Sequence, residues 1–327
     1  MNKLVSVIIP FFNRLDLLKA SLKSVIDQTY KPIELILVDD FSSESFDETI
    51  INKYNTKDFR IKLIRNEKNL GPGLSREVGR LIAKGDFLAY LDSDDFWHRL
   101  FLEKLVMHLE TDKNAGMAYS KTLLIRNTGN FLRNKNDKSY DSIIPVLFDV
   151  HGRPWATGAC LWKREMVNKI GNWTDSRIWE DYEYDVRAAI INNHIIHVPE
   201  VLFYVNMDSK QKISLVKNTK KMIIDKANSI LNIAKHLRGS KYFKDLEIKK
   251  RITYYLLTSC ATLSDFKSDK NLIQELFKEY NKWIGNNILP VSVVTPVIPS
   301  RINSKLFRKI RQYYALIFLI INFAVNV

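Results

Sequence analysis

Three carboxylates stand within four residues of the chain, at Asp92, Asp94 and Asp95, directly after an apolar segment. Charges of one sign repel at this spacing, and burial near a core penalises an uncompensated carboxylate. In an extended segment Asp92 and Asp94 lie on the same side, about 6–7 Å apart, so that one can bind a divalent ion while the other reaches a hydroxyl. Oxygen ligands without a histidine and cysteine cluster favour Mg²⁺ or Mn²⁺ over zinc. An Asp-rich surface turn explains the same residues, and the motif alone leaves both interpretations open.

The elements that position this loop follow from the hydrophobic pattern of the first 126 residues. Short β-branched apolar runs predict strands, and apolar residues three or four positions apart predict helices. The predicted strands span 4–12, 33–40, 60–66, 86–92 and 116–125, and the predicted helices span 14–28, 43–54, 72–84 and 99–110. Continuous apolar strands that alternate with helices predict an α/β fold whose mostly parallel sheet is covered by helices on both faces.

Polar residues follow three of these predicted strands. Residues 10–13 follow the first strand, residues 39–40 the second and residues 92–95 the fourth. Ligands of parallel α/β sheets bind at the carboxyl ends of the strands, so these distant segments are expected to converge. Because Mg²⁺-type ions take one or two protein carboxylates and complete their shell with phosphates, the converging carboxylates predict a metal–diphosphate site.

Four ordered motifs surround these segments. They are VSVIIPFFNR, LILVDDFSSE, NLGPGLSREVGRLIAKGDFLAYLDSDD and TGACLWKREMVNKIGNWTDSRIWEDYEYDVR. Over roughly residues 4–205 the chain closely resembles the family 2 glycosyltransferases of GT-A fold, inverting enzymes that use nucleotide-sugar donors. The resemblance implies a Rossmann-like GT-A catalytic domain over residues 1–210, with a nucleotide-sugar half at about 1–126 and an acceptor half at about 150–210.

The resemblance implies a nucleotide site at the strand ends. Pro10 and Phe12 match the loop that holds the nucleobase, with Phe12 available to stack on the ring. Asp40 matches the carboxylate that accepts a hydrogen bond from uracil, which favours a UDP-linked donor, and Asp39 would shape the turn or reach the ribose. Arg76 matches an arginine on the nucleotide side of the site.

The resemblance also implies roles for the acidic loop. Asp92 would approach ribose or sugar hydroxyls, and Ser93 would belong to the donor site beside it. Asp94 would bind Mn²⁺ or Mg²⁺, with Asp95 as the competing ligand. Departure of a nucleoside diphosphate develops negative charge, which such a cation neutralises. Residues 204–208 lack the arginine and histidine that relatives often carry there, so the resemblance supplies no third protein ligand.

A second acidic pair lies in the fourth motif. Glu180 and Asp181 match the pair that supplies the catalytic base of the family, and Asp181 is assigned that role. Inversion in a single displacement needs a carboxylate on the opposite face that deprotonates the acceptor hydroxyl. Repulsion from Glu180 would raise one pKa of the pair, as a base requires. The alternative is an acidic first helical turn that complements the helix dipole.

Composition divides the chain into two parts. Of its 327 residues 46% are apolar, which suffices for a packed core, and residues 127–154 are predicted to form a long connection or lid. Residues 1–210 hold 29 basic and 29 acidic side chains, whereas the helical, basic residues 211–327 hold 21 and 7, so the whole net charge of +14 belongs to the second part. Such concentrated charge favours an anionic partner, and solvated helix faces are the alternative.

The C-terminal segment 301–327 combines charge with apolar character. Residues 301–311 carry five basic side chains and no acid, and 13 of the 15 residues 313–327 are apolar. As a helix the apolar run is about 22 Å long, too short for a hydrocarbon core of about 30 Å. The pattern favours attachment to an anionic membrane surface, and a helix docked on protein is the alternative.

Two cysteines and no signal peptide before the first strand predict a cytoplasmic protein, peripheral on the inner face of a bacterial cytoplasmic membrane. The sequence thus predicts a metal-dependent, inverting glycosyltransferase acting on a glycan or lipid-linked glycan in surface polysaccharide or lipopolysaccharide synthesis. The alternatives are a polyprenyl-phosphate glycosyl synthase and a non-catalytic nucleotide-sugar-binding protein of the same fold. Nucleic acid is not an expected partner, because no nucleic-acid-binding module accompanies the basic residues.

Overall fold

The computed structural model describes residues 2–126, 131–132, 138–148, 152–208, 219–265 and 269–285. Within these ranges one sheet holds the strands together, in the order β3-β2-β1-β4-β8-β6-β9-β5, with β7 paired to β6. The strands are β1 (Val5–Phe11), β2 (Ile33–Asp39), β3 (Phe59–Arg65), β4 (Phe87–Tyr90), β5 (Phe96–Trp97), β6 (Met117–Ile125), β7 (Phe131–Leu132), β8 (Cys160–Lys163) and β9 (Ile195–Asn206).

The pairing of the strands confirms the predicted α/β class. Strands β3, β2, β1 and β4 are parallel neighbours, as are β6 and β9, whereas β8 is antiparallel to both β4 and β6. Every residue of β1 and β2 is buried, as expected for parallel strands covered on both faces. The carboxyl ends of β1, β2 and β4 therefore lie side by side at one edge of the sheet.

The described residues form helices α1 to α9 around and after the sheet. The helices are α1 (Leu15–Ile26), α2 (Thr49–Tyr54), α3 (Pro72–Ile82), α4 (Phe101–Thr111), α5 (Arg164–Ile170), α6 (Glu180–Ile191), α7 (Lys220–Arg238), α8 (Leu246–Asp265) and α9 (Lys270–Ile284). Helix α2 is shorter than the predicted helix 43–54. It begins late because the carboxylate of Asp47 accepts hydrogen bonds from the backbone N–H and hydroxyl of Thr49, which holds a turn before the first helical residue.

The stretch 127–154 is only partly described, and its described part corrects one expectation. Ile143 and Leu147 are fully buried, and Ile144, Val146 and Phe148 are nearly so, all within the hydrophobic core. The lid interpretation is therefore wrong for residues 143–144 and 146–148, whose apolar side chains pack inside the molecule, whereas Pro145 between them is exposed. Residues 127–130, 133–137 and 149–151 lie outside the described residues.

The C-terminal helices α7, α8 and α9 pack against one another, and α7 also packs against α6. Most of their buried apolar residues belong to the same hydrophobic cluster as the sheet. Within the described ranges, no helix combines the length and apolar character needed to cross a bilayer. The segment 301–327 lies outside the described residues, and the domain boundary near residue 210 stays a prediction.

Candidate active site

A cleft of about 620 Å³ opens at the carboxyl ends of β1, β2 and β4. It brings together all but one of the residues singled out in the sequence. Those that line it are Pro10, Phe12, Asp40, Arg76, Asp92, Ser93, Asp94, Asp95, Glu180 and Asp181. The expected convergence of the strand ends is therefore present in the structure, and α3 and α6 supply the opposite wall.

Asp40 lies in the turn after β2 and is almost fully buried. Its Oδ1 accepts hydrogen bonds from Asn66 Nδ2 at 2.9 Å and from the backbone N–H of Leu70 at 2.7 Å. Its Oδ2 accepts one, from the backbone N–H of Gly71 at 2.8 Å. A carboxylate oxygen can accept two hydrogen bonds, so Oδ2 can accept another at the cleft wall while the carboxylate anchors the loop before α3.

Asp39, by contrast, does not line the cleft. Its Oδ1 accepts a hydrogen bond from the backbone N–H of Ser42 at 2.8 Å, and its Oδ2 pairs with Arg65 at 2.6 Å. Of the two roles expected for Asp39, the structure shows the turn-shaping contacts. Phe12 lies at the cleft with 41% of its surface exposed, so that part of its ring faces solvent.

The acidic loop carries its own counter-charges. Arg76 donates to Asp92 at 2.7 Å, and Arg14 pairs with Asp94 at 3.3 Å. One oxygen of Asp95 accepts a hydrogen bond from the backbone N–H of Asn206 at 3.1 Å. Two arginines and one backbone N–H group from distant parts of the chain thus offset the repulsion among the three neighbouring carboxylates.

The metal-binding capacity of the loop rests on few ligands. Among the described residues, no group of three or more histidine, cysteine or acidic side chains is arranged to hold a metal ion. Asp92, Asp94 and Asp95 all line the cleft, and one oxygen of each is engaged, by Arg76, by Arg14 and by the backbone of Asn206 respectively. A donor set of one or two carboxylates fits Mg²⁺ or Mn²⁺ when phosphates and water complete the shell.

Helix α6 begins at Glu180, directly after Trp179, whose backbone is left-handed with a φ of 65°. Glu180 is buried and accepts a hydrogen bond from Arg76 at 2.9 Å. Burial, together with the neighbouring charge of Asp181, raises the pKa of Glu180 to about 7, although Arg76 opposes this rise. Glu180 is therefore held inside the wall as part of an ion network.

Asp181 is the more accessible member of the pair, with 26% of its side chain exposed. Its Oδ1 accepts a hydrogen bond from the backbone N–H of Tyr182 at 2.8 Å, and its Oδ2 pairs with Arg153 at 2.7 Å. The first turn of a helix stabilises negative charge, which favours the ionised carboxylate here. An ionised, accessible carboxylate at the cleft can accept a proton from a hydroxyl group.

Several site residues were not singled out in the sequence. Arg14, Asn69, Thr157 and Arg177 also line the cleft, and Arg177 donates to Asn69 Oδ1 at 2.7 Å. Arg14 and Arg177 lie within the quoted motifs, where cationic residues near strand or helix ends were the available signal. Arg153 had no such signal, because it lies in the weakly periodic stretch before β8.

Two further ionisable residues, Glu77 and His197, have structural partners away from the cleft. Glu77 pairs with Arg80 at 2.6 Å and accepts a hydrogen bond from the backbone N–H of Trp173. His197 lies within β9, stacks on Tyr119 with ring centroids 4.8 Å apart, and does not line the cleft. Neither residue therefore adds to the candidate metal site.

The chain is similar in sequence to known glycosyltransferases. The sequence model described as "Glycosyl transferase family 2" matches residues 6–170. An uncharacterized glycosyltransferase of Methanocaldococcus jannaschii is 30% identical over 222 residues, which make up 64% of this chain and 76% of that protein. The Escherichia coli UDP-Glc:alpha-D-GlcNAc-diphosphoundecaprenol beta-1,3-glucosyltransferase WfaP is 40% identical over 111 residues, which make up 34% of this chain and 43% of WfaP. The match therefore spans less than half of WfaP.

Among solved structures, S. aureus TarS 1–349 in complex with UDP-GlcNAc is similar to this chain with a TM-score of 0.63. The likeness covers 86% of this chain and 80% of that chain at 18% sequence identity. At this identity the likeness concerns the fold alone, and it confirms the expected GT-A architecture.

Proposed function

The chain belongs to glycosyl transferase family 2, and from this premise we propose that it is an inverting enzyme that transfers a sugar from a UDP-linked donor to a hydroxyl group of a glycan or lipid-linked glycan. The observation that carries the proposal is that one cleft joins the acidic loop 92–95 to the pair Glu180 and Asp181. This arrangement has a donor side and an acceptor side, as single-displacement chemistry requires.

On the donor side, Phe12 would stack on the nucleobase and Asp40 Oδ2 would accept its N–H. Arg177 and Arg14, at the cleft wall, would face the diphosphate. The UDP preference is supported by Asp40 and by the nucleotide sugars of WfaP and of the TarS complex, UDP-Glc and UDP-GlcNAc. These two donors also support a hexosyl or N-acetylhexosaminyl group as the transferred sugar.

Asp94 would hold Mn²⁺ or Mg²⁺, with Asp92 beside it and Asp95 as the competing ligand. When bound, the cation would neutralise the charge that develops on the leaving diphosphate. Arg76, which bridges Asp92 and Glu180, would keep the acidic loop at a set distance from the acceptor wall.

On the acceptor side, Asp181 would accept the proton of the attacking hydroxyl group. Its exposure, its place in the first turn of α6 and its position at the cleft support this role. Glu180 is enclosed and bound to Arg76, so we assign it to the support of the wall and of Asp181.

We place the reaction in bacterial surface polysaccharide or lipopolysaccharide synthesis, at the inner face of the cytoplasmic membrane. The undecaprenol-linked acceptor in the name of WfaP supports the pathway, and the basic, apolar segment 301–327 supports the membrane surface. The acceptor of this chain is accordingly proposed to be lipid-linked.

The test is a thermal-shift panel of UDP, GDP, CMP and dTDP, each with and without Mn²⁺. Wild type is compared with Asp94→Asn, Asp181→Asn and the control Asp16→Asn, whose carboxylate is 94% exposed on α1. A ligand that binds the folded state raises the melting temperature by mass action. We expect a Mn²⁺-dependent shift with UDP in wild type, Asp16→Asn and Asp181→Asn, and its loss in Asp94→Asn.

Sugar transfer from UDP-glucose and UDP-GlcNAc to lipid-linked acceptors is measured on the same proteins. Transfer should be lost in Asp181→Asn although UDP still binds. Transfer to polyprenyl phosphate itself would instead identify a polyprenyl-phosphate glycosyl synthase. Binding of UDP without transfer or UDP release in wild type would identify a non-catalytic protein and overturn the proposal.

A further inference from the structure

Arg153 is a buried arginine immediately behind the acceptor wall of the cleft, with 6% of its side chain exposed. Its Nη2 lies 2.7 Å from the carboxylate of Asp181 and 3.0 Å from Thr157 Oγ1, and its Nη1 donates to Asp185 at 3.0 Å. Its Nε donates to the carbonyl oxygen of Trp155 at 3.0 Å. The planar guanidinium is thus held at every nitrogen, and one nitrogen is directed at Asp181.

Packing also holds the guanidinium of Arg153 in place. It lies 5.5 Å from the ring centroid of Tyr182, whose hydroxyl accepts a hydrogen bond from the backbone N–H of Arg153. Tyr182 stacks on Trp179 with centroids 5.0 Å apart, and Lys226 of α7 lies 4.7 Å from the Trp179 ring. The first C-terminal helix therefore supports the rings that hold Arg153.

We propose that Arg153 is a positioning residue that fixes the carboxylate of Asp181 at the cleft wall in its ionised, proton-accepting form. The inference rests on the proposed function, in which Asp181 is the base. Arg153 itself does not line the cleft, so it acts on the reaction through Asp181.

The charge of the cluster explains why Asp181 can still accept a proton. Arg153 is shared between two carboxylates, because Asp185 takes its Nη1 while accepting a hydrogen bond from Trp155 Nε1 at 2.9 Å. Burial raises the pKa of Asp185 to about 6, so Asp185 is ionised above that pH and the trio carries one net negative charge. Among the described residues, Glu180, Tyr182 and Cys160 also face the cluster, and burial raises the pKa of the Cys160 thiol.

The two partners of Asp181 should act in opposite directions. Removal of the cation in Arg153→Gln raises the pKa of Asp181, because an opposite charge at this distance lowers a carboxyl pKa by about 1–3 units. Removal of the competing carboxylate in Asp185→Asn lowers the pKa of Asp181, because Arg153 then pairs with Asp181 alone. If Arg153 served folding only, its substitution would change kcat by the same factor at every pH.

The experiment measures UDP release between pH 5 and pH 9, with water as acceptor, from whichever of UDP-glucose and UDP-GlcNAc gives the larger thermal shift. In Arg153→Gln the acidic limb of the kcat profile should move up by about 1–3 pH units, and in Asp185→Asn it should move down. Arg153→Lys, which keeps the charge but cannot engage both carboxylates as a fork, should shift less than Arg153→Gln. UDP affinity should be unchanged in all three variants.

The assignment of Arg153 is overturned if the acidic limb of the kcat profile stays in place. It is also overturned if this limb moves in the same direction in Arg153→Gln and Asp185→Asn. If Arg153→Gln does not fold, the direction of the shift in Asp185→Asn and the small upward shift in Arg153→Lys decide the question. Asp181→Asn separates this inference from the proposed function. Retained UDP release in that variant would reject Asp181 as the base, whereas its loss combined with unshifted limbs would reject only the role of Arg153.

Discussion

The guanidinium of Arg76 lies between two carboxylates of the cleft, 2.7 Å from Asp92 and 2.9 Å from Glu180. Arg76 and Glu180 are both almost fully buried, and buried ion pairs seldom stabilise a fold beyond what apolar residues of the same size would achieve. Their arrangement is better explained by the site. Arg76 joins the acidic loop, on the proposed donor side, to the first turn of α6, on the proposed acceptor side.

The buried Glu180 gives stability a pH dependence. Its pKa of about 7 in the folded chain exceeds the ordinary 4.5, so the folded chain binds this proton more tightly than the unfolded chain. Its contribution to the free energy of unfolding is therefore full below pH 4.5 and is lost as the pH rises to 7. In Glu180→Gln, urea midpoints measured from pH 5 to pH 8 should fall less steeply than in wild type. The exposed Glu67→Gln is the control, and parallel curves for Glu180→Gln and wild type would contradict the prediction.

Phe12 is the residue expected to stack on the nucleobase. In Phe12→Ala we expect UDP binding, measured by calorimetry, to weaken by about 1–3 kcal/mol, roughly 5- to 150-fold in Kd. The melting temperature without ligand should change little, because 41% of the side chain is exposed. Phe41→Ala is the matched control, since Phe41 is similarly exposed, at 49%, and does not line the cleft. Equal losses of affinity in the two variants would argue against a stacking role for Phe12.

At the scale of elements, the N-termini of two helices meet the cleft. Helix α3 begins at Pro72 directly after Gly71, and α6 begins at Glu180. The loop before α6 is in turn tied to α7, because Ser229 Oγ donates to Ser176 Oγ at 2.8 Å. The first helix after the sheet therefore supports the wall of the cleft that α6 forms.

Gly71 lies directly before α3, and a substitution there tests the backbone conformation that precedes this helix. Its φ of +87° and ψ of 172° belong to a region that is essentially limited to glycine, and its N–H binds Asp40. Gly71→Ala should lower the free energy of unfolding by about 1–3 kcal/mol and weaken UDP binding. Gly239→Ala, at a φ of −78° after α7, is the control and should change either quantity little. Chemical denaturation measures the free energy of unfolding, and calorimetry measures UDP binding. Equal effects in Gly71→Ala and Gly239→Ala would exclude backbone strain at Gly71 as the cause of the losses.

At the scale of the molecule, the charge is separated along the chain. Residues 1–210 are neutral, and residues 211–327 hold the net charge of +14. The described helices α7, α8 and α9 share one hydrophobic cluster with the sheet, so the positively charged part is joined to the cleft-bearing part by packing. A candidate active-site cleft joined to a basic region fits the proposal that the acceptor lies at an anionic surface.

Deletion of residues 301–327 tests this arrangement. We expect the deletion to move the protein from the membrane fraction to the soluble fraction, because it removes five basic residues and the adjoining apolar run. UDP-dependent thermal stabilisation should be kept. Replacement of the five basic residues by glutamine is the matched variant, and it should weaken sedimentation with anionic vesicles while leaving neutral vesicles unaffected. Unchanged fractionation of the deletion variant would favour a helix docked on protein.

The order of strands and helices, and the meeting of residues 10–13, 39–40 and 92–95 at one sheet edge, followed from the sequence. Hydrophobic periodicity is a local property, and parallel strands bring their carboxyl ends together whatever loops connect them. The family resemblance added the acidic pair of α6. The sequence therefore determined the class of fold, the place of the cleft and most of the residues that line it.

Only the tertiary structure decided how these residues are paired. Arg76 meets Glu180 across 104 positions of the chain, and Arg153 meets Asp185 across 32. Such pairs depend on the distances between elements, which no local pattern encodes. The turn contacts of Asp39 and the burial of residues 143–144 and 146–148 depend on the same distances. The pKa of Glu180 depends on burial in the same way. The tertiary structure thus determined which carboxylate is enclosed and which one faces the cleft.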